Sequence, residues 1–295
     1  MNKIKALFIS TFIGLAVIVI VLAVAQFFQD GLGLAWMGAL LTGFLIVEFF
    51  VSLFRFKTTR TPAKLPLLTT LIAVATAVAQ VRFQLFPSSL SLLLLAGWLA
   101  YVYWYSRLDR GQNEQLAVGR PFPTITLEDE AGNKVSSADF AGQTTLYLFY
   151  RGNWCPLCMA QIKEVAAQYQ ELAQRGVQVV LVSPQPHKFT RNLAARFDIP
   201  FTFLVDAGNK AARQLGIDQK NGVPAGMELL GYDSDTVMPT VLIVGEDGRI
   251  LYADLTDSYR IRPEPAEFLR VLDNLAATKP GRARAKKVFI KDYAD

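Results

Sequence analysis

The chain is 295 residues long, 52% hydrophobic and 19% charged, with a formal net charge of +5, long enough for two structural units of ~100–200 residues each. Two cysteines and one histidine exclude a disulfide framework and fall short of the ligand set of a structural zinc site. The basic residues flank apolar runs or gather in the C-terminal tail with no nucleic-acid motif beside them, so the charge points to a lipid bilayer as partner and not to nucleic acid.

Charges are sparse over residues 1–110, which read as an all-helical transmembrane anchor. Apolar runs at 4–28, 32–54, 65–86 and 90–105 predict about four spans, given that ~20 residues cross a ~30 Å hydrocarbon core. The first run exceeds the ~7–15 residues of a signal-peptide core and a second follows at once, so it is read as a retained helix. The third is weakest, because Gln80 and Arg82 interrupt it. The fourth ends in Trp98, Tyr101, Tyr103, Trp104 and Tyr105, which read as an aromatic belt at headgroup level.

Positive charges fall at Lys3 and Lys5, at Arg55, Lys57, Arg60 and Lys64, and at Arg107 and Arg110. With four spans, the positive-inside rule puts both termini in the cytoplasm, as expected for a protein of the bacterial inner membrane. Were the third run not to cross, the C-terminal domain would be extracytoplasmic, periplasmic in a bacterium.

Residues 111–278 change texture to short apolar runs alternating with helical patterns, the mark of an α/β domain. Strands are expected at 124–127, 145–150, 177–182, 201–205, 240–244 and 250–253, and helices at 155–174, 188–197, 210–215 and 266–276. The tail, 279–295, is basic and poor in apolar residues, which suits a membrane surface and gives it no catalytic role.

The segment Trp154-Cys155-Pro156-Leu157-Cys158 follows an apolar strand and opens a long amphipathic helix. Unsatisfied N–H groups and the dipole at a helix N-terminus favour a thiolate, and a CxxC pair lowers its pKa further. Two intervening residues let the second thiol attack a mixed disulfide formed at the first, closing a redox cycle. Cys155 and Cys158 are therefore the catalytic candidates. Met159 stands where covalent haem attachment would need a histidine, and no metal or organic cofactor is implied. His187, in a polar loop, reads as a surface residue. Arg151, and Arg260 or Arg262, could stabilise a thiolate by charge, although each suits a solvated surface equally well.

The stretch from Phe149 through Arg151, Gly152, Asn153 and Trp154 to Cys158 resembles the active-site segment of AhpC/TSA peroxiredoxin-like proteins of the thioredoxin superfamily. Val182-Ser183-Pro184-Gln185, Met238-Pro239-Thr240 and the DSYRIRPE segment at 257–264 extend the resemblance over roughly 117–277. It implies a thioredoxin-like fold, with a central mixed sheet flanked by helices, and a cis-proline loop at Met238-Pro239 that shapes a substrate groove together with Trp154 and Pro156. Typical peroxiredoxins place a threonine where Cys155 stands and their peroxidatic cysteine where Cys158 stands. Thioredoxin logic instead names Cys155, as the more exposed thiol at the helix start, and the reading favours it.

The expectation is a membrane-anchored thiol-disulfide oxidoreductase exchanging electrons with a protein dithiol or disulfide partner. A thiol peroxidase that reduces a hydroperoxide through Cys158 is the first alternative. A non-catalytic membrane scaffold with a thioredoxin-like binding domain is the second.

Overall fold

The computed structural model describes residues 2–31, 33–55, 71 and 84–277. Helix α1 (Asn2–Asp30) and helix α2 (Leu34–Arg55) lead into helix α3 (Leu85–Ala100), which continues as a π turn over Tyr101–Tyr105. Three segments, Asn2–Gln29, Leu34–Phe54 and Leu85–Tyr105, are long and apolar enough to cross a membrane. The fourth expected span therefore begins earlier than residue 90, with Pro87 tolerated in the first turn of α3, where its missing N–H has no intrahelical partner anyway. The expected third span, 65–86, lies outside the described residues apart from Leu71 and its last three positions, and so does the tail at 279–295.

Helices α2 and α3 run parallel. Trp36 meets Phe86 near their starts at 5.9 Å, and Phe49 meets Trp98 near their ends at 4.8 Å. Helix α1 is antiparallel to both, with Phe12 against Phe50. Its N-terminal end is fastened to the C-terminal domain: the Lys5 ammonium donates to the Arg107 carbonyl at 2.5 Å, and the Ser10 hydroxyl to the Ala225 carbonyl at 2.8 Å. The aromatics expected to form a headgroup belt behave differently. Trp98, Tyr101 and Tyr105 are buried, while Tyr103 is exposed. They pack on Phe49 and Phe50 and, through Tyr105, on Tyr259 of the C-terminal domain. Burial of that much ring surface between helices outweighs the headgroup preference.

The C-terminal domain is built on a seven-stranded sheet in the order β2-β1-β5-β4-β3-β8-β9. Its strands are β1 (Thr126–Glu128), β2 (Lys134–Ser136), β3 (Thr144–Phe149), β4 (Val177–Ser183), β5 (Thr202–Val205), β8 (Thr240–Val244) and β9 (Ile250–Asp254), with β6 (Asp218–Gln219) and β7 (Thr236–Val237) forming a separate ribbon. Strands β3, β4 and β5 are parallel and β8 and β9 antiparallel. Buried on both faces, β3 and β4 read as nearly unbroken apolar runs, as central strands must.

Helices α4 (Pro156–Ala167), α5 (Tyr169–Gln174), α6 (His187–Ala194), α7 (Lys210–Gln214) and α8 (Pro265–Ala277) cover the sheet. The helix expected over 155–174 breaks at Gln168, whose backbone leaves the helical region. One face of the sheet is closed by Leu116, Ile125, Ala211 and Leu215. On the other, Leu157, Ile162, Val165, Phe268 and both cysteines form an apolar cluster that continues without interruption to Tyr105, Tyr101, Trp98, Phe12 and Ile9 of the N-terminal helices.

Candidate active site

Strand β3 delivers the chain to a sharp turn at Gly152, whose φ of +150° and close approach to the Trp154 indole leave no room for a side chain. Cys155 then caps α4 and Pro156 occupies its first position, where a proline suits the helix start. Cys158 falls in the first turn. Its backbone N–H points at the Cys155 sulfur, 3.3 Å away, and the N-terminal dipole of α4 favours negative charge there.

Both thiols are free, and both are fully buried. This removes the ground on which Cys155 was favoured, because Tyr105, Tyr259 and the N-terminal helices cover the helix start. The neighbours of the two sulfurs differ. The Arg262 guanidinium lies 3.8 Å from Cys158 Sγ, while Nε of the same arginine donates to the Tyr259 carbonyl at 3.2 Å and Nη1 to Gln161 Oε1 at 3.5 Å. The Tyr259 hydroxyl lies 3.8 Å from Cys155 Sγ. The Tyr259 ring is flanked by Arg151 at 5.1 Å and Arg262 at 5.8 Å, and Arg151 also lies 4.9 Å from the Trp154 ring. Arg151 donates to the Gly222 carbonyl, and its own carbonyl accepts from the Thr236 hydroxyl at 2.8 Å.

Burial pushes the Cys155 thiol well above its ordinary pKa, its hydrogen bond with Cys158 and that group's charge push it further, and the two arginines do not offset this. Burial acts on Cys158 in the same sense, but there the Cys155 thiol, the Arg262 charge and then Arg151 prevail and hold the group below the usual thiol range. Desolvation is common to the pair, so the hydrogen bond and the cation decide which sulfur is the anion. The balance favours the thiolate at Cys158 over Cys155.

The remaining expected site residues fall into two sets. Arg151 and Arg262, only 4% and 2% exposed, are buried over the dithiol and are not solvated surface cations. Trp154 and Pro156 are half-buried beside it. Met238 and Pro239 are buried, and no peptide bond among the described residues is cis, so the expected cis-proline loop is absent. The segment is engaged from within. Arg110 donates to the Pro239 carbonyl at 2.9 Å and to the Thr240 hydroxyl, which in turn donates to the Met238 carbonyl. With the carbonyls on both sides of the bond so held, the ordinary trans preference of ~0.5–1 kcal/mol is kept. His187 pairs with Glu128 at 2.9 Å, away from the dithiol.

Tyr259 and Gln161 went unrecognised as site residues. Gln161 lies one turn after Cys158 and Tyr259 three residues before Arg262, spacings that share a face only once the backbone is known to be helical or tightly turned. Beside Arg151 and Tyr259, a cleft bounded by Lys5, Tyr105 and Gly222 encloses about 10 Å³, room for about one water molecule. Among the described residues no group of three or more His, Cys, Asp or Glu side chains converges as a metal site requires.

A mixed sheet with a dithiol in the first turn of the helix after a central parallel strand defines a thioredoxin-like redox domain. Residues 118–253 match the AhpC/TSA family. Over 95 residues the chain is 30% identical to the chloroplastic peroxiredoxin Q of Sedum lineare, an alignment covering 32% of this chain and 51% of that protein. Over 161 residues it is 20% identical to the thiol-disulfide oxidoreductase ResA of Bacillus cereus, covering 54% and 81%. A solved AhpC of Enterococcus faecalis is similar at 18% identity and a TM-score of 0.45, covering 57% and 98%. The chain spans about half the length of the peroxiredoxin Q relatives it matches. The C-terminal domain is accordingly similar to AhpC/TSA-family proteins over residues 118–253.

Proposed function

We propose that this protein is a membrane-anchored dithiol peroxidase, with residues 1–110 as anchor, 111–278 as redox domain and 279–295 as basic tail, in which Cys158 reacts first and Cys155 resolves. The observation that carries the reading is the Arg262 guanidinium 3.8 Å from a buried Cys158 sulfur held below the usual thiol range.

The Cys158 thiolate attacks the distal oxygen of a hydroperoxide. The O–O bond breaks, the alcohol or water departs with a proton, and Cys158 is left as a sulfenic acid. The Cys155 sulfur, in hydrogen-bond reach of the Cys158 amide, then attacks the sulfenic sulfur. Water is lost, its second proton coming from the Cys155 thiol, and an intramolecular disulfide remains. An external dithiol returns both electrons and both protons by exchange. Arg262 favours the thiolate and the oxygen that gains charge as the O–O bond opens, and the apolar surroundings strengthen that interaction.

Exchange with a protein disulfide is the second reading, supported by the CPLC spacing and the similarity to ResA. It requires the helices over the dithiol to move aside first, since a folded partner cannot reach sulfurs with no exposed surface. A small hydroperoxide needs a far narrower opening than a folded partner does.

The test compares thiol loss from the reduced full-length protein with hydrogen peroxide and with an oxidised protein disulfide. At pH 7 free cysteine is only a few per cent thiolate, so a largely ionised Cys158 should react about tenfold faster with peroxide than free cysteine does. Rapid disulfide exchange with slow peroxide reaction would establish the second reading, and inertness to both would leave a scaffold.

A further inference from the structure

We infer that the turn at Met227–Leu230 is a membrane-inserted wedge that seats the redox domain against the bilayer, with lipid as its partner. The inference rests on α1 spanning the membrane.

The turn is a 3-10 helix bounded by Gly226 and Gly231, both in the left-handed region at φ of 95° and 91°. Such flanks let a short segment project from the domain. Its tip is apolar: Leu229 is 92% exposed and Leu230 61%. Two large aliphatic side chains at a protruding tip suit a lipid boundary far better than water.

What covers them follows from where the loop is fastened. The Ala225 N–H donates to the Ala6 carbonyl at 3.0 Å, and the Ala225 carbonyl accepts from the Ser10 hydroxyl at 2.8 Å. Asn2–Gln29 is 28 residues, about 42 Å of helix, matching a bilayer of ~40–45 Å including its headgroups. Ala6 lies about 6 Å along that helix, at the boundary between headgroups and hydrocarbon, and Ser10 about 12 Å along, just inside the hydrocarbon. A loop bonded there, four residues from Leu229, places the tip at the same depth.

The base of the loop carries side chains that favour this level. Tyr232 stacks on Phe189 at 4.4 Å, and the Lys188 ammonium lies 4.7 Å from the Phe189 ring. Aromatic rings beside a cation sit well among anionic headgroups. The Tyr232 hydroxyl also donates to Asn153 Oδ1 at 2.5 Å, so the wedge is tied to the turn that precedes Cys155.

The test uses full-length protein carrying Cys155→Ser and Cys158→Ser, reconstituted in phosphatidylcholine–phosphatidylglycerol vesicles. Single cysteines Leu229→Cys, Asp247→Cys and Val17→Cys are labelled with a polarity-sensitive fluorophore. Asp247 lies in the β8–β9 turn, at the opposite end of the sheet from the dithiol, and Val17 is partly exposed within α1. The label at 229 should be blue-shifted relative to that at 247, lose intensity to nitroxides placed high on the acyl chain, and resist an aqueous cobalt quencher. Equal cobalt quenching at 229 and 247 overturns the inference, and so does protection of 229 from both quenchers, which would mean a protein surface covers it. Deep nitroxide quenching at 17 confirms the span independently. Its absence would show that the anchor reading fails, whatever the loop does. Leu230→Cys repeats the measurement should labelling at 229 disturb folding.

Discussion

Two sulfurs three residues apart on one helical turn share the field of Arg151 and Arg262 but have different nearest partners. Around Cys158 lie Arg262 and the first turn of α4, and around Cys155 lie the Tyr259 hydroxyl and the aromatic floor supplied by Tyr105. Burial is complete at both and raises both. The lesson is that desolvation sets the stakes while one cation and one hydrogen bond decide which member of the pair is the anion.

Removing the cation should blur the comparison most. Arg262→Met takes the charge from beside Cys158 and leaves Gln161 Oε1 and the Tyr259 carbonyl without that donor. The reaction with hydrogen peroxide at pH 7 should fall by about tenfold or more, as Cys158 reverts toward the ~8.5 of an ordinary thiol. The pH dependence of alkylation checks the cause. Below its folded-state pKa Cys158 is protonated and slow, and above it reactive, so the midpoint should lie below ~8.5 in the parent and rise in the variant. A group whose folded-state pKa is depressed also stabilises the fold fully above its unfolded value, a contribution lost as pH falls through the folded one. Arg262→Met should therefore cost more stability at pH 9 than at pH 5 in denaturant titrations.

A change that both pockets share leaves the comparison itself intact. Phe268 is fully buried under the sheet, edge-on to Tyr252, and Phe268→Ala should destabilise by about 3–5 kcal/mol. The order of the two thiols should persist in whatever fraction remains folded.

Tyr259→Phe acts on Cys155 alone. Loss of a hydrogen bond worth ~1 kcal/mol should slow disulfide closure several-fold, read by stopped-flow fluorescence, without changing the peroxide step at Cys158. The smallest effect belongs to His187→Ala, whose pair with Glu128 is about one-third exposed and should be worth at most ~1 kcal/mol in unfolding measurements.

Much of the fold was legible because its period is local. The central strands at 144–149, 177–183 and 240–244 are apolar nearly throughout, and the CxxC motif marked the start of α4. Strand β1, expected at 124–127, falls at 126–128, whereas β2 and the β6–β7 ribbon escaped because two- and three-residue strands carry no periodic signal. The break at Gln168 escaped because nothing in the helical pattern interrupts there. The dithiol was readable as chemistry, yet its surroundings were not. Tyr259 and Arg262 reach the sulfurs across 104 residues of chain, and the occlusion of Cys155 depends on helices whose aromatics, read one segment at a time, resemble a lipid boundary. Tertiary packing turned both expectations: the exposed thiol is buried, and the belt is a joint between the N-terminal helices and the C-terminal domain.

The central claim is that Cys158 reacts first. Reduced full-length Cys155→Ser and Cys158→Ser proteins, each exposed to hydrogen peroxide with a sulfenic-acid trap and mapped by mass spectrometry, test it most directly. Rapid trapping at Cys158 in the first variant with slow reaction at Cys155 in the second is the predicted result. Rapid trapping at Cys155 with an inert Cys158 would contradict it and return the nucleophile to the first cysteine of the motif.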